Sequence, residues 1–418
     1  MRNLLHNRSF VALWAGQAIS SIGDYFTLLA VPIFVNRLTG SVMLVGFSFL
    51  SVALPALVLG PVAGVFVDRF DRRKVMIVSD VLRGLLTLAL LTVRDAGQVW
   101  VVYLVGFLVS CAAQFFMPAR GAALPLIVRD PDDWLAANAA MRIIQTVGML
   151  AGPALAGISI GLWGEQVAFI ADGASFLLSA LAVTLVAVPR AAPGTDAHGP
   201  ASFSGGAGAA TSILAVWADL REGMATLAGS RATLGILVCM TMASLGFSTV
   251  NMIWIPYLQR DFGVGAAGLG IADAALGVGM LASGLATGAI ARRASKKALS
   301  AGGVAFEGLL YLSIPLLPSF PWIIAWQFIG GLALTPMQSA LDTIMQMAVP
   351  DAKRGRVGAS LNASYSAAGM LSMAFAALFG EAIGLRRVFA IVGLVTLGAG
   401  LLGFWMIREP GKEDLPLV

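Results

Sequence analysis

The chain has 418 residues, of which 58% are apolar and 12% charged, with a mean hydropathy of +0.86. Soluble domains carry about 25% charge, so the composition excludes a soluble globular protein and implies a polytopic membrane protein with room for about a dozen spans of ~20 residues. A net charge of +5 and a pI near 9.5 would suit nucleic-acid binding, but the placement of the cations has a simpler cause in membrane topology.

Arg2 and Arg8 precede an apolar run that superficially resembles a signal peptide. The run is too long and passes through Pro32 without a small-residue cleavage site, so it reads as the first membrane helix. Apolar runs then predict spans at 10–36, 43–67, 75–93, 99–124, 134–162, 165–188, 231–259, 266–291, 298–317, 320–347, 357–384 and 387–407. The expected fold is therefore all-α, with twelve transmembrane helices in two pseudo-symmetric six-helix bundles. The expected domains are residues 1–188, a linker at 189–230, a second bundle at 231–408 and a tail at 409–418. Residues 189–212 are rich in Pro, Gly, Ser and Ala and read as a flexible connection. In 213–230, Ile213, Trp217, Leu220, Met224 and Leu227 recur at helical spacing, the pattern of a helix lying on the membrane surface.

With the N-terminus inside, the inner side holds Arg69, Arg72, Arg73, Lys74, Arg120, Arg129, Arg292, Arg293, Lys353, Arg354 and Arg356 among other cations. The outer loops hold only Arg37, Arg94, Arg260, Arg386 and Arg387. This positive-inside bias predicts that both termini are cytoplasmic; the expected location is a bacterial-type plasma (inner) membrane. Cys111 and Cys239 both fall in apolar runs, which excludes a disulfide framework.

The stretch G-P-V-A-G-V-F-V-D-R-F-D-R-R-K at 60–74 ends the second span. Gly60, Gly64 and Asp68 share one helix face, and the glycines allow close helix packing. Asp68 is an anion at a helix C-terminus, the unfavourable end of the dipole, and so needs compensation from elsewhere. The stretch aligns without gaps on G-L-A-T-G-A-I-A-R-R-A-S-K-K-A at 284–298, where Arg292 replaces Asp68. Two halves related in this way suggest duplicated bundles with a site at mid-membrane.

These residues resemble the major facilitator superfamily, whose members read G-x-x-x-D-R-x-G-R-R after the second span. Gly64, Asp68, Arg69, Arg72 and Arg73 match, while Asp71 stands where the family's glycine usually does. Gly148, Gly152, Pro153 and Gly157 match the G-x-x-x-G-P-x-x-x-G motif of antiporter members. S-I-G-D-Y-F in the first span, F-F-M-P-A-R-G-A-A-L-P at 115–125 and V-P-D-A-K-R-G-R-V at 349–357 look like the branch of macrolide exporters and enterobactin-type siderophore exporters. The resemblance implies alternating access, often driven by proton antiport, in a cavity lined by spans 1, 4, 7 and 10. It also implies that Asp68 meets the N-terminus of the eleventh helix as one half of a conformational latch.

Charges inside spans are costly, roughly 2.5–3.5 kcal/mol at the centre on insertion scales, and so are functional candidates. Asp24, Glu307 and Asp342 are the proton-coupling candidates. Asp24, near the middle of the first span, is either such a carrier or a carboxylate bonded to a neighbouring helix. Gln114, Arg142, Gln145, Asn251, Trp254 and Gln338 are the substrate-cavity candidates. Arg142 would bind an anionic substrate, neutralise an acid such as Asp24, or form a structural ion pair. Asp80 and Arg83 are three apart and most simply pair with each other. Asp172 and Asp273 read as a hydrated gate or a helix contact near the outer face. Phe115, Phe116, Phe247, Met252, Trp254 and Tyr257 are either walls of an apolar pocket or packing residues.

G-I-S-I-G at 157–161 lacks the strand–turn–helix setting of a hydrolase elbow, so no enzymatic site is expected. No P-loop and no metal-ligand spacing occur, so no cofactor is expected. The expected partners are a small amphipathic substrate, protons and membrane lipid, with no nucleic acid and the chain working as a monomer. The expected function is proton-coupled export of a bulky amphipathic compound. A lysophospholipid flippase, whose first helix also carries a G-D pair, and a non-transporting membrane receptor remain as alternatives.

Overall fold

The computed structural model describes residues 4, 6–67, 70–128, 130–187, 213–350 and 353–407. Its first six long helices are α1 (Arg8–Thr39), α2 (Val42–Val67), α3 (Arg72–Ala89), α4 (Val99–Ile127), α5 (Trp134–Trp163) and α6 (Glu165–Thr184). A shorter α7 (Ile213–Ala228) follows. The remaining six are α8 (Arg231–Phe262), α9 (Ala266–Arg293), α10 (Lys296–Ser313), α11 (Phe320–Ala348), α12 (Arg354–Ile383) and α13 (Leu385–Met406). All but α7 contain a stretch long and apolar enough to cross a membrane, giving twelve spans. In lipid every backbone N–H and C=O must be satisfied internally, which leaves the helix as the solution for each apolar run.

Helix ends fall where polar side chains supply the missing partners. The Asn7 side chain accepts from the Phe10 N–H at 3.1 Å, which starts α1. Gly40, at φ 62°, ends it in the left-handed conformation. This is why α1 runs a few residues past both ends of the predicted 10–36 span. Asp71 caps α3 by accepting from the N–H groups of Arg73 and Lys74 at 3.0 and 3.3 Å. The residue that departs from the family glycine thus has a helix-starting role of its own.

The helices gather into two compact units. One contains α1–α6 together with Gly263–Ala274, and the other contains α7, α8, the rest of α9, and α10–α13. In the first unit α1 packs on α6 and α5, α2 on α4, and α3 on α6 and α4. In the second, α10 packs on α13 and α11, and α8 on α12 and α13. Glycines set these approaches: a Cβ on Gly84 would lie 2.9 Å from the Gly173 carbonyl oxygen, and one on Gly308 would lie 2.8 Å from that of Gly393. Large apolar side chains such as Leu285, Leu162, Leu371 and Leu401 are exposed, as a surface facing lipid requires. Trp100, Trp163, Trp322 and Trp405 are exposed near span ends, the usual level of interfacial aromatics.

Candidate proton and substrate site

Three helices of the first unit converge on a polar cluster. Gly23 of α1 lies so close to α6 that a Cβ there would sit 2.9 Å from Asp172 Oδ1 and against Ser175. The Gly84–Gly173 contact draws α3 onto the same face of α6. Asp24, the residue after Gly23, accepts from Arg83 Nη2 of α3 at 2.9 Å. The other arm of the guanidinium, Nη1, stands 3.6 Å from Asp80 Oδ1, an electrostatic contact beyond hydrogen-bond range. The Arg83 guanidinium carbon also lies 3.8 Å from the centre of the Phe176 ring of α6, in a cation–π contact.

The three acids differ in access. The Asp24 side chain is 50% exposed, whereas Asp80 and Asp172 are closed off at 0% and 2%. Neither Asp80 carboxylate oxygen has a hydrogen-bond partner. The Ser175 hydroxyl donates to the Asp172 backbone carbonyl at 2.7 Å and lies 3.4 Å from its Oδ1. Asp80 and Arg83 are therefore more than a local i,i+3 pair: Arg83 bridges α3 to α1. The partner offered to Asp24 by sequence, Arg142, is replaced in that role by Arg83. Arg142 is exposed on α5 and forms no ion pair among the described residues.

The remaining candidates lie apart from this cluster. Gln145 is exposed one turn beyond Arg142, and Gln114 is half-buried, its Nε2 donating weakly to the Ser110 carbonyl at 3.5 Å. Asn251, Gln338 and Asp342 are exposed on α8 and α11. Trp254 is buried and stacked on Trp326 at 5.6 Å, its indole N–H without a partner. Phe116, Met252 and Tyr257 are buried in helix packing, which removes them as walls of an open pocket. Phe115 meets Phe66 edge-on at 5.4 Å. Arg120, expected among the inner-side cations, lies within α4 and donates to Gln17 Oε1 of α1 at 3.0 Å.

Glu307 is buried in the second unit, where the Tyr311 hydroxyl donates to its Oε1 and its Oε2 has no partner. The offset that aligns 60–74 on 284–298 also places Arg83 on Glu307 and Gly84 on Gly308. At this position the two halves thus carry interior charges of opposite sign, each beside a glycine at a close helix contact. The same offset pairs Arg37 with Asp261. Arg37 binds Glu165 at the start of α6, and Asp261 binds Arg386 at the start of α13, each at 2.9 Å. The staple is kept and its polarity reversed.

Of the latch residues, Gly64 lies in α2, while Asp68 and Arg69 are outside the described residues. Arg73 donates from Nε to the Val183 carbonyl at 3.3 Å and from Nη2 to the Thr184 carbonyl, tying the start of α3 to the end of α6. The Nε of Arg72 has no partner. The fifth-span motif has a steric basis. A Cβ on Gly148 would lie 3.2 Å from Tyr25, and one on Gly152 would lie 2.6 Å from it. One on Gly157 would lie 2.6 Å from the Ala266 carbonyl oxygen. Pro153 is buried within α5.

The α7 helix is fastened to the start of α12. Arg356 binds Asp219 through Nε at 2.9 Å and Glu222 through Nη1 at 2.8 Å, and Ser360 Oγ donates to the Leu220 carbonyl at 3.0 Å. Sequence patterning identified the helix but not this docking.

The profile of the Major Facilitator Superfamily matches residues 13–229 and 236–417. Macrolide efflux protein A of Streptococcus pyogenes is 25% identical, over 97% of this chain and 97% of its own length. The multidrug efflux pump Tap of Mycobacterium tuberculosis is 26% identical, over 100% of this chain and 97% of its own. A solved bacterial homologue of the iron transporter ferroportin shares the fold, with a TM-score of 0.74 at 14% identity, covering 97% of this chain and 100% of that one. The chain, with twelve spans and a profile match across both halves, belongs to the major facilitator superfamily of membrane transporters.

Proposed function

We propose that the protein exports a bulky amphipathic compound, of the class of drugs, macrolides or siderophores, in exchange for protons. It works as a monomer in a bacterial-type plasma membrane, in contact with lipid and with both termini in the cytoplasm. The observation that carries the reading is the Asp24–Arg83 pair: an interior ion pair joining two helices, with a half-exposed carboxylate at one end. The efflux relatives support the direction and class of transport.

The Asp24–Arg83 geometry supports the following coupling step. A proton arriving at Asp24 removes its negative charge and with it the attraction for Arg83 Nη2. The guanidinium then belongs to Asp80 alone, and the link between α1 and α3 weakens. Loss of the proton restores the link. A transporter needs such a two-state contact, biased by one ligand, for the other ligand to sense it. Substrate export then follows proton entry because the two states differ in this contact. Among the cavity candidates, Gln114, Gln145, Asn251 and Gln338 supply polar groups for orienting substrate, and Arg142 is an exposed cation for an anionic substituent.

Asp24→Asn tests the reading. In proteoliposomes, an imposed pH gradient should drive efflux of erythromycin through the wild type and leave the variant idle, with the variant eluting and melting as a native protein. Gradient-driven efflux at the wild-type rate in Asp24→Asn would remove Asp24 from the mechanism.

A further inference from the structure

The cluster around Arg83 contains more acid than one cation can neutralise. Asp24, Asp80 and Asp172 surround a single guanidinium, which directs one arm to Asp24 and the other towards Asp80. Asp172 receives neither. The other cations on the neighbouring helices lie elsewhere. Arg37 is bound to Glu165, Arg73 to carbonyls at the end of α6, and Arg142, the one charged residue of α5, is exposed without an ion pair among the described residues. On the side of α1, Asp172 faces Gly23, with Asp24 and Thr27 close by. Asp80 and Arg83 are the charged groups that α3 brings. Two buried hydroxyls lie within the cluster, Thr27 beside Asp172 and Ser179 beside Asp80, and neither has a partner elsewhere.

A carboxylate that is 2% exposed and lacks a cation is costly to keep charged, because burial removes its hydration and the long Ser175 contact at 3.4 Å replaces little of it. We propose that Asp172 is a second proton site of this cluster, holding a proton in reserve behind Asp24. The inference rests on the proton-coupled reading above and deepens it.

The transfer balances simply. A proton leaves the Asp172 carboxyl and joins the Asp24 carboxylate. Asp172 becomes the anion and Asp24 the neutral acid. The Nη2 arm released by Asp24 is then free for the new anion, while Nη1 stays with Asp80. Net charge in the cluster is unchanged, so the step avoids exposing an unpaired charge to the membrane interior. Asp24 is half exposed and exchanges with water; Asp172 is closed off and exchanges only through Asp24.

Infrared spectroscopy of the purified protein in lipid, without substrate or gradient, tests the proposal through the carbonyl stretch of protonated carboxyl groups. Labelling all aspartates with 13C separates their band from that of Glu307, the buried acid of the second unit. At neutral pH the labelled wild type should show a protonated aspartyl band. The band should persist in Asp80→Asn and disappear in Asp172→Asn. Absence of a labelled band in the wild type would overturn the proposal without requiring any variant to fold. So would loss of the band in Asp80→Asn with its retention in Asp172→Asn. Because the band is read without transport, failure of gradient-driven efflux would refute antiport and leave the reserve proton standing.

Discussion

Replacing Arg83 with glutamine removes one charge from an enclosed cluster and leaves a shorter, neutral polar side chain. Three contacts are lost, and their sizes differ. The Asp24 partner is half exposed, so that arm contributes about 0–1 kcal/mol. The cation–π contact with Phe176 contributes about 0.5–2 kcal/mol. The Asp80 contact dominates, since Asp80 is fully enclosed and Arg83 is 11% exposed. Removing one partner of a buried pair costs about 3–5 kcal/mol, chiefly by stranding the other charge. Arg83→Gln should therefore lower the melting temperature clearly, and adding Asp80→Asn should recover most of the loss. Detergent unfolding is usually irreversible, so the variants are compared at one heating rate. The deficit of Arg83→Gln should also shrink as pH falls, because acid neutralises the stranded carboxylate. The reasoning is refuted if Arg83→Gln melts with the wild type at neutral pH, or if the double variant is no better than the single.

Two further outcomes follow from the packing. Gly152→Ala places a methyl within 2.6 Å of Tyr25 and should destabilise by about 1–3 kcal/mol, whereas Gly121→Ala, with nothing within 4 Å, should melt as wild type. Arg356→Ala severs two of the three ion pairs seen between α7 and the start of α12, leaving Lys353–Glu222 at 3.9 Å. These pairs are half exposed and worth at most about 1 kcal/mol each, so global stability should change little. Hydrogen exchange across 213–228 should nevertheless rise and come to match the wild type at high salt, which screens the same pairs.

The spans were legible because lipid imposes a length and a composition that any sequence must display. Pro32, Pro153, Pro256 and Pro336 did not obscure them, since membrane helices tolerate interior proline. Asp24 was legible as a costly charge, and Asp80–Arg83 as an i,i+3 pair. Their union was not, because it depends on the rotation of α1 against α3, which Gly23, Gly84 and Gly173 set through contacts far apart in sequence. Asp172 was read as a gate or helix contact for the same reason: its burial comes from Gly23 of another helix. The Asp71 cap was available to sequence reasoning, since an Asp directly before a basic helix start is an N-cap signal. It was hidden by comparison with a motif that prefers glycine there. Arg142 shows the opposite limit: an interior cation by sequence that the fold leaves exposed.

The most direct measurement of the central claim follows protons rather than drug. Wild-type proteoliposomes loaded with erythromycin and a lumenal pH dye are diluted into drug-free buffer at equal pH. Proton exchange predicts that drug leaving drives protons inward and acidifies the lumen, with no acidification in Asp24→Asn. Drug leaving through the wild-type protein while lumenal pH stays constant would contradict the account.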